Sequence, residues 1–209
     1  MNYILRILLP AICMLPCSYS TIAQDTLLLM NGQQLLCSIK SDTSLVILME
    51  VTKKNGKVKV REIHKSDIFS VTKAGEKETV LYTQNEMFGD IFTEEEMRIY
   101  LAGEGDARSN YDTKHIFIIG VAVCFAISFS NGDGYITSLA PPLIYTLIQL
   151  IGKLQIPAET IRDEKYRYND FYAYGYEPPA RSRKLFSALK GGFMGSALGV
   201  IVWYLFNAK

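Results

Sequence analysis

The residues whose spacing could do chemistry are cations that alternate along one predicted strand. Side chains of a strand point alternately to its two sides, so alternate residues of 57–62 share a face. Such a face could bind anionic lipid head groups or an acidic envelope polymer. The alternative is a solvated strand face, which fits the balance of acids and bases in residues 25–90. The cations concerned are Lys53, Lys54, Lys57, Lys59 and Arg61.

A second cluster combines aromatic and basic residues shortly before the last apolar stretch. Tyrosines and cations at this place are typical of a membrane interface, where amphipathic rings and lysine or arginine head groups meet lipid. A platform for a glycan or a peptide is the alternative. The predicted interfacial residues are Tyr166, Tyr168, Tyr172, Tyr174, Tyr176, Arg181, Arg183 and Lys184.

The last apolar stretch, residues 185–206, repeats small residues every four positions. Such a glycine-zipper pattern places them on one helix face, where a second helix can approach closely in lipid. The residues are Ser187, Gly191, Gly195 and Gly199, and Gly120 of an earlier apolar segment is a candidate partner. The contact could equally form between two copies of the chain.

Other chemistry-bearing residues form no recognisable site. His64 and His115 are the only histidines, and neither has a cysteine or carboxylate at the spacing of zinc ligands. No nucleophile elbow and no calcium-loop spacing is present. The sequence therefore predicts no metal, no cofactor and no catalytic residue, and an enzyme acting on lipid or peptidoglycan is the least favoured reading.

The beginning of the chain predicts export. Residues 1–23 combine Arg6, a short apolar run and small residues before a cleavage point after Ala23, as in a secretory signal. An uncleaved anchor is the alternative. The full chain has 22 basic and 21 acidic residues, and Arg6 is the only charged residue of this segment. Without the segment, 21 basic and 21 acidic residues remain. A nucleic-acid partner is disfavoured, since phosphate binding needs a basic excess.

The elements that must position these residues divide the chain into three parts after the signal. Short alternating runs with turns at Asn31-Gly32 and Asn55-Gly56 predict a small exported β-domain over 24–90. Five or six such strands suggest an SH3-like or Sm-like barrel. A capping box at Thr93–Glu96 predicts a linker helix within 91–112. The membrane domain follows over 113–209, and the expected fold class is α+β.

Two spans are predicted in the membrane domain, at about 114–130 and 185–206. Residues 135–152 carry Pro141-Pro142, which should break a helix, so an interfacial or half-inserted segment is expected there, with a full span as the alternative. If the two spans form a hairpin, the loop between them holds eight basic residues and the opposite side four. That count favours an inner-membrane protein with a periplasmic β-domain, although an outer-membrane location stays open. The eight are Lys153, Arg162, Lys165, Arg167, Arg181, Arg183, Lys184 and Lys190.

Four stretches carry a resemblance to known proteins: residues 31–39, 100–108, 140–142, and 174–184 with the glycine-rich helix that follows. In them the chain resembles a group of uncharacterised exported envelope proteins of Bacteroidota-type bacteria, which pair a small β-domain with a glycine-rich membrane region. Cys37 stands where that pattern has glycine. The resemblance implies an envelope location and supplies no catalytic residues.

Together these patterns predict a non-enzymatic envelope membrane protein that acts as a scaffold or partner-binding component. The expected partners are membrane lipid and either other envelope proteins or further copies of the chain. The alternative function is an oligomeric pore or transport subunit that assembles through the glycine face.

Overall fold

The computed structural model describes residues 24–52, 56–131 and 135–207. The fold is α+β, as the sequence predicts: an antiparallel sheet is followed by helices. Within these ranges the sheet has six strands in the order β4-β3-β2-β1-β5-β6. The strands are β1 (Asp25–Leu29), β2 (Gln34–Asp42), β3 (Val46–Thr52), β4 (Val58–His64), β5 (Ile68–Thr72) and β6 (Thr79–Val80).

The sheet is bent but open, so the predicted SH3-like or Sm-like barrel is not confirmed. β2 pairs with β1 through its first half and with β3 through its second half, and a bulge between Ile39 and Ser41 bends it. β4 and β6 form the two edges. Because β6 contains only two residues, it offers little backbone with which to close against β4.

The first helix packs on one face of the sheet. α1 (Glu94–Asn110) begins with the predicted capping box, in which Thr93 and Glu96 bond each other's backbone N–H. Met97 and Leu101 of α1 are buried against Phe69 of β5. The opposite face of the sheet carries its own core, formed around Leu27, Ile47, Met49 and Ile68. α1 is one unbroken helix rather than two shorter pieces.

A glycine turn fixes the sheet to α1. Gly32, between β1 and β2, has φ +72°, a left-handed conformation that favours glycine. An added Cβ at Gly32 would also overlap the backbone of α1, with Gly105 N at 2.6 Å. The Asn31-Gly32 turn therefore serves both as a turn and as a docking point.

Three further helices form a bundle: α2 (Lys114–Asn131), α3 (Tyr135–Ile151) and α4 (Asp170–Asn207). α3 continues through Pro141-Pro142, so the predicted break does not occur. The two missing N–H groups would have bonded carbonyls in the first turn of α3, which limits the loss to that turn. Thr146 donates its hydroxyl to the Pro142 carbonyl at 2.7 Å.

The predicted hairpin of two spans is wrong, because α2 and α4 run parallel. Ser187 contacts Thr113, and Gly191, Gly195 and Gly199 contact Phe117, Val121 and Phe125 in the same order. Each step of four residues along α4 therefore matches a step of four residues along α2 in the same direction. α3 runs in the opposite direction: Gly192 lies beside Pro142, whereas Arg181, earlier in α4, bonds the Leu150 carbonyl, later in α3. The chain therefore crosses the bundle as up, down and up.

α4 belongs to two parts of the molecule. Its residues from Ser187 onward pack with α2 and α3 and form the bundle. Its residues up to Lys184 pack against α1 together with the 154–161 segment, although the sequence placed them in the membrane domain. We call the sheet, α1 and residues 154–184 the head.

Candidate functional site

The small residues of α4 form a close helix contact, here called the glycine seam (Ser187, Gly191, Gly195 and Gly199). An added Cβ at any of the three glycines would overlap a backbone carbonyl of α2, for example Phe125 O at 2.7 Å from the position at Gly199. Ser187 donates its hydroxyl to the Thr113 carbonyl at 3.0 Å. Gly120 of α2 lies against Tyr145 of α3 and the backbone of α4. The seam thus joins helices of one chain.

The inside of the bundle consists mostly of small residues, together with the larger Ile116 and Tyr145, and many large apolar side chains face outward. Its buried positions include Gly120, Cys124 and Ser128 of α2 and Gly191 and Ser196 of α4. Large exposed apolar side chains occur on all three helices, among them Ile118, Ile119, Leu143, Ile144, Ile148, Phe193, Leu198 and Ile201. This pattern is the reverse of a water-soluble bundle, which buries its large apolar residues.

A buried carboxylate joins α1 to α4 in the head. Asp106 is only 4 % exposed, and its Oδ2 accepts hydrogen bonds from the Tyr172 hydroxyl at 2.9 Å and the Arg162 backbone N–H at 3.0 Å. The Arg162 guanidinium lies 3.5 Å from Oδ1. Buried charges are tolerated when they are paired and hydrogen-bonded in this way.

Asp106 is not identified as a structural residue in the sequence analysis above. A signal was present, because Gly103, Asp106 and Ala107 share one face of α1 at a spacing of three and four residues. A carboxylate on a face of small residues is a candidate for burial. The α4 backbone does reach this face, since an added Cβ at Gly103 would overlap the Tyr172 carbonyl.

The five predicted interfacial tyrosines separate into two groups. Tyr172 and Tyr176 are buried in the head, 1 % and 0 % exposed, so they cannot belong to an aromatic belt facing lipid head groups. Tyr176 shares a hydrogen bond with Thr160 at 2.8 Å. Tyr166 is half-buried and stacks on Tyr172, whereas Tyr168 and Tyr174 are exposed.

Burial governs the titration of the two buried tyrosines. Removal from water raises the pKa of the Tyr172 hydroxyl, and its hydrogen bond to the Asp106 carboxylate raises it further. Burial likewise raises the pKa of Tyr176. Both rings therefore remain protonated hydrogen-bonding groups at neutral pH.

The predicted interfacial cations bond helix ends in the structure. Arg183 donates to the Ala107 carbonyl at 2.9 Å and to the Arg108 carbonyl, in the last turn of α1. Arg181 donates to the Leu150 carbonyl at 2.9 Å, and Lys184 lies 3.5 Å from the Gly152 carbonyl. The last carbonyls of a helix have no partner within it and carry the negative end of its dipole. These cations of α4 therefore cap α1 and α3.

A cavity beside α1 has a volume of about 730 Å³. Its floor is α1 from Arg98 to Ser109, and its walls are the β1–β2 turn and the 162–166 segment. We call it the α1 cleft. Its arginines are already paired: Arg98 with Glu78 at 2.9 Å, Arg108 with Glu104 at 2.6 Å and Arg162 with Asp106. Its charge is therefore balanced, and Gln33, Gln34 and Ser109 add neutral donors and acceptors.

The alternating cations of the predicted strand lie at an edge of the sheet. Lys59 and Arg61 belong to β4 and pair with Val51 and Met49 of β3. Both are exposed, and Lys57 immediately precedes the strand. Charged side chains on an edge strand discourage pairing with another chain. Lys53 and Lys54 lie outside the described residues.

Comparisons with known proteins do not assign a function to these residues. Among the residues that the structure describes, no group of three His, Cys, Asp or Glu side chains could hold a metal ion. No family model matches the chain, and no curated protein or solved structure is significantly similar to it.

Proposed function

We propose that this protein is a non-enzymatic membrane-anchored scaffold of the cell envelope, which holds its head at the bilayer surface and binds a partner there. The observation that carries the proposal is the outward-facing apolar surface of the bundle. Such a surface is stable among acyl chains, where helix packing relies on small residues such as those of the glycine seam.

The dimensions of the bundle support insertion. By length and composition, α2 and α4 could each cross a membrane. From Ser187 to Asn207 a helix rises about 30 Å, close to the thickness of the hydrocarbon core. α3 packs against both of them and is apolar, and we propose that it crosses as a third span. Trp203 and Tyr204 near the end of α4 match an aromatic belt at the far interface.

The orientation rests on the N-terminal segment. Its signal-like sequence supports export of the head to the periplasmic side of an inner membrane. The charge argument no longer supports this, because with parallel α2 and α4 seven of the eight loop cations lie beside or within the head, and Lys190 lies at the head-side end of the bundle. In the inner membrane that charge distribution favours a cytoplasmic head. A cysteine introduced at the exposed Lys77 tests on which side of the membrane the head lies. Its labelling in intact cells by a membrane-impermeant maleimide supports export, whereas labelling only after lysis contradicts export.

The α1 cleft is our proposed site for the partner. Its volume falls within the range of ligand sites, and its balanced charge suits a neutral polar group better than an ion. A photo-crosslinker at Ser109, in the cleft, should capture the partner, whereas one at Lys77 should not. Equal capture at both positions would contradict the assignment.

The alternative function, an oligomeric pore assembled through the glycine face, has less support. α2 of the same chain already covers Gly191, Gly195 and Gly199. A second copy could use this face only if α2 left it.

Quenching of the single tryptophan by brominated lipids tests membrane insertion directly. Trp203 lies near the end of α4, so bromines near the lipid head group should quench it more strongly than bromines at the chain end. In the variant W203F with L198W, the tryptophan occupies an exposed position deeper in the bundle, and the order should reverse. Absence of quenching for both proteins would show that the bundle does not enter lipid.

A further inference from the structure

We propose that three lysines at the head-side end of the bundle form a binding site for the phosphate groups of anionic phospholipids. We call them the lysine ring: Lys114, Lys153 and Lys190. This inference rests on the membrane anchoring proposed above. The site would select lipids of the head-side leaflet.

Each helix of the bundle has one lysine within it or just after it, and the three lie within about 10 Å of depth. Lys114 is the first residue of α2, Lys153 follows the end of α3, and Lys190 lies in α4. The register places Thr113 beside Ser187 and Gly152 beside Lys184. Measured along α4, the levels of the three lysines therefore span about seven residues. Seven helical residues rise about 10 Å, a depth that the head-group region and the length of a lysine side chain can cover.

At this end of the bundle, internal ion pairs within the described ranges leave Lys153 and Lys190 unused, and Lys114 makes only an exposed one. Arg181, Arg183 and Lys184 are used to cap α1 and α3. Among the described residues, no ion pair holds Lys153 or Lys190. Lys114 is 86 % exposed and only 3.7 Å from Asp112, itself well exposed.

The surroundings of the ring favour a ligand that is anionic at one end and apolar at the other. Ile118, Ile151 and Phe186 lie near the same level and are exposed by 63 %, 84 % and 62 %. A phospholipid matches this arrangement, with its phosphate on the lysines and its chains on the apolar side chains. At the opposite end, α2 and α4 finish with the neutral Asn131 and Asn207. The described residues therefore predict selection in one leaflet only.

The test is lipid selectivity of the full chain in vesicles of phosphatidylcholine with phosphatidylglycerol. Spin-labelled forms of the two lipids measure the ratio of their affinities for the protein surface. The natural chain should prefer phosphatidylglycerol, with up to about fivefold for each lysine. The variant K114Q/K153Q/K190Q should lose the preference. The control K40Q/K73Q/K77Q removes the same charge from exposed positions of the head and should keep it.

Two further measurements separate the possible failures. Quenching of Trp203 reports insertion for every variant, so a chain that does not insert contradicts the anchoring, and an inserted chain without preference contradicts only the ring. Soluble glycerol phosphate at matched phosphate concentration should not displace the spin-labelled lipid. Displacement would show that the site takes free phosphate, and would overturn the assignment to lipid. If K114Q/K153Q/K190Q fails to fold, K153Q alone, outside the helices, should still lower the preference severalfold.

Discussion

The two halves of α4 make the same kind of close contact with different residues. In the bundle, Gly191 and Gly195 bring the backbone of α4 against that of α2. In the head, Gly175 and Gly103 bring α4 against α1, and the surrounding space is filled by tyrosines and a buried carboxylate. The proposed membrane insertion accounts for this difference: in water, large buried rings and paired charges contribute stability, whereas in lipid only close contact and hydrogen bonds distinguish packed from unpacked helices.

The largest effect that this comparison predicts is in the seam. Gly195→Leu should abolish the folded bundle, because the new side chain overlaps the carbonyl of Val121 and neither backbone can yield cheaply. We expect a loss of at least about 3 kcal/mol, measured by denaturant unfolding in detergent. Met194→Leu, at the adjacent and exposed position, should change stability by less than about 0.5 kcal/mol. Equal effects would show that α2 does not cover the seam.

The buried carboxylate should be the next most sensitive position. Asp106→Leu leaves the Tyr172 hydroxyl and the Arg162 side chain without their partner, so we expect a loss of about 3 kcal/mol. Asp112→Asn, at an exposed carboxylate, is the control. In a double-mutant cycle with Tyr172→Phe, the two losses should not add, because both remove the same hydrogen bond.

Removal of a helix cap should have a smaller effect. Arg183→Gln withdraws a charged donor from the last carbonyls of α1, and we expect a loss of about 1–2 kcal/mol. Arg167→Gln removes the same charge from a side chain whose guanidinium contacts only an exposed tyrosine ring, 5.6 Å from the Tyr168 centroid. If both variants lose stability equally, then capping is not the reason. Hydrogen exchange of the last turn of α1 locates the effect.

Alkaline pH should loosen the head before the bundle. The folded-state pKa values of Tyr172 and Tyr176 lie above the ordinary value of 10.0, so their contribution is complete below pH 10 and falls as the pH rises above it. Cys37, with a pKa raised to about 11, adds a loss that begins near pH 9. In a Cys37→Ala background, proteolysis of the head should increase only above about pH 10. Earlier cleavage of the bundle than of the head would contradict the comparison.

The sequence predicted local features better than packing partners. Strand runs and the Thr93 cap depend on neighbouring residues, and the structure has them. Whether the sheet closes depends on the length of β6, and whether α2 and α4 run parallel depends on the path of α3 through its prolines. The tyrosines of 166–176 have the composition of a membrane belt. Two of them are buried because they pack against α1, where Tyr172 bonds Asp106, and composition does not show such a contact. Long-range contacts decided each of these outcomes.

The unbroken course of α4 has a consequence for biosynthesis. α4 packs against α1, α2 and α3, and it is the last of these helices to leave the ribosome. Until α4 emerges, the small-residue faces of the earlier helices lack their contacts with it and Asp106 has no tyrosine beside it. One late segment therefore completes both the bundle and the head.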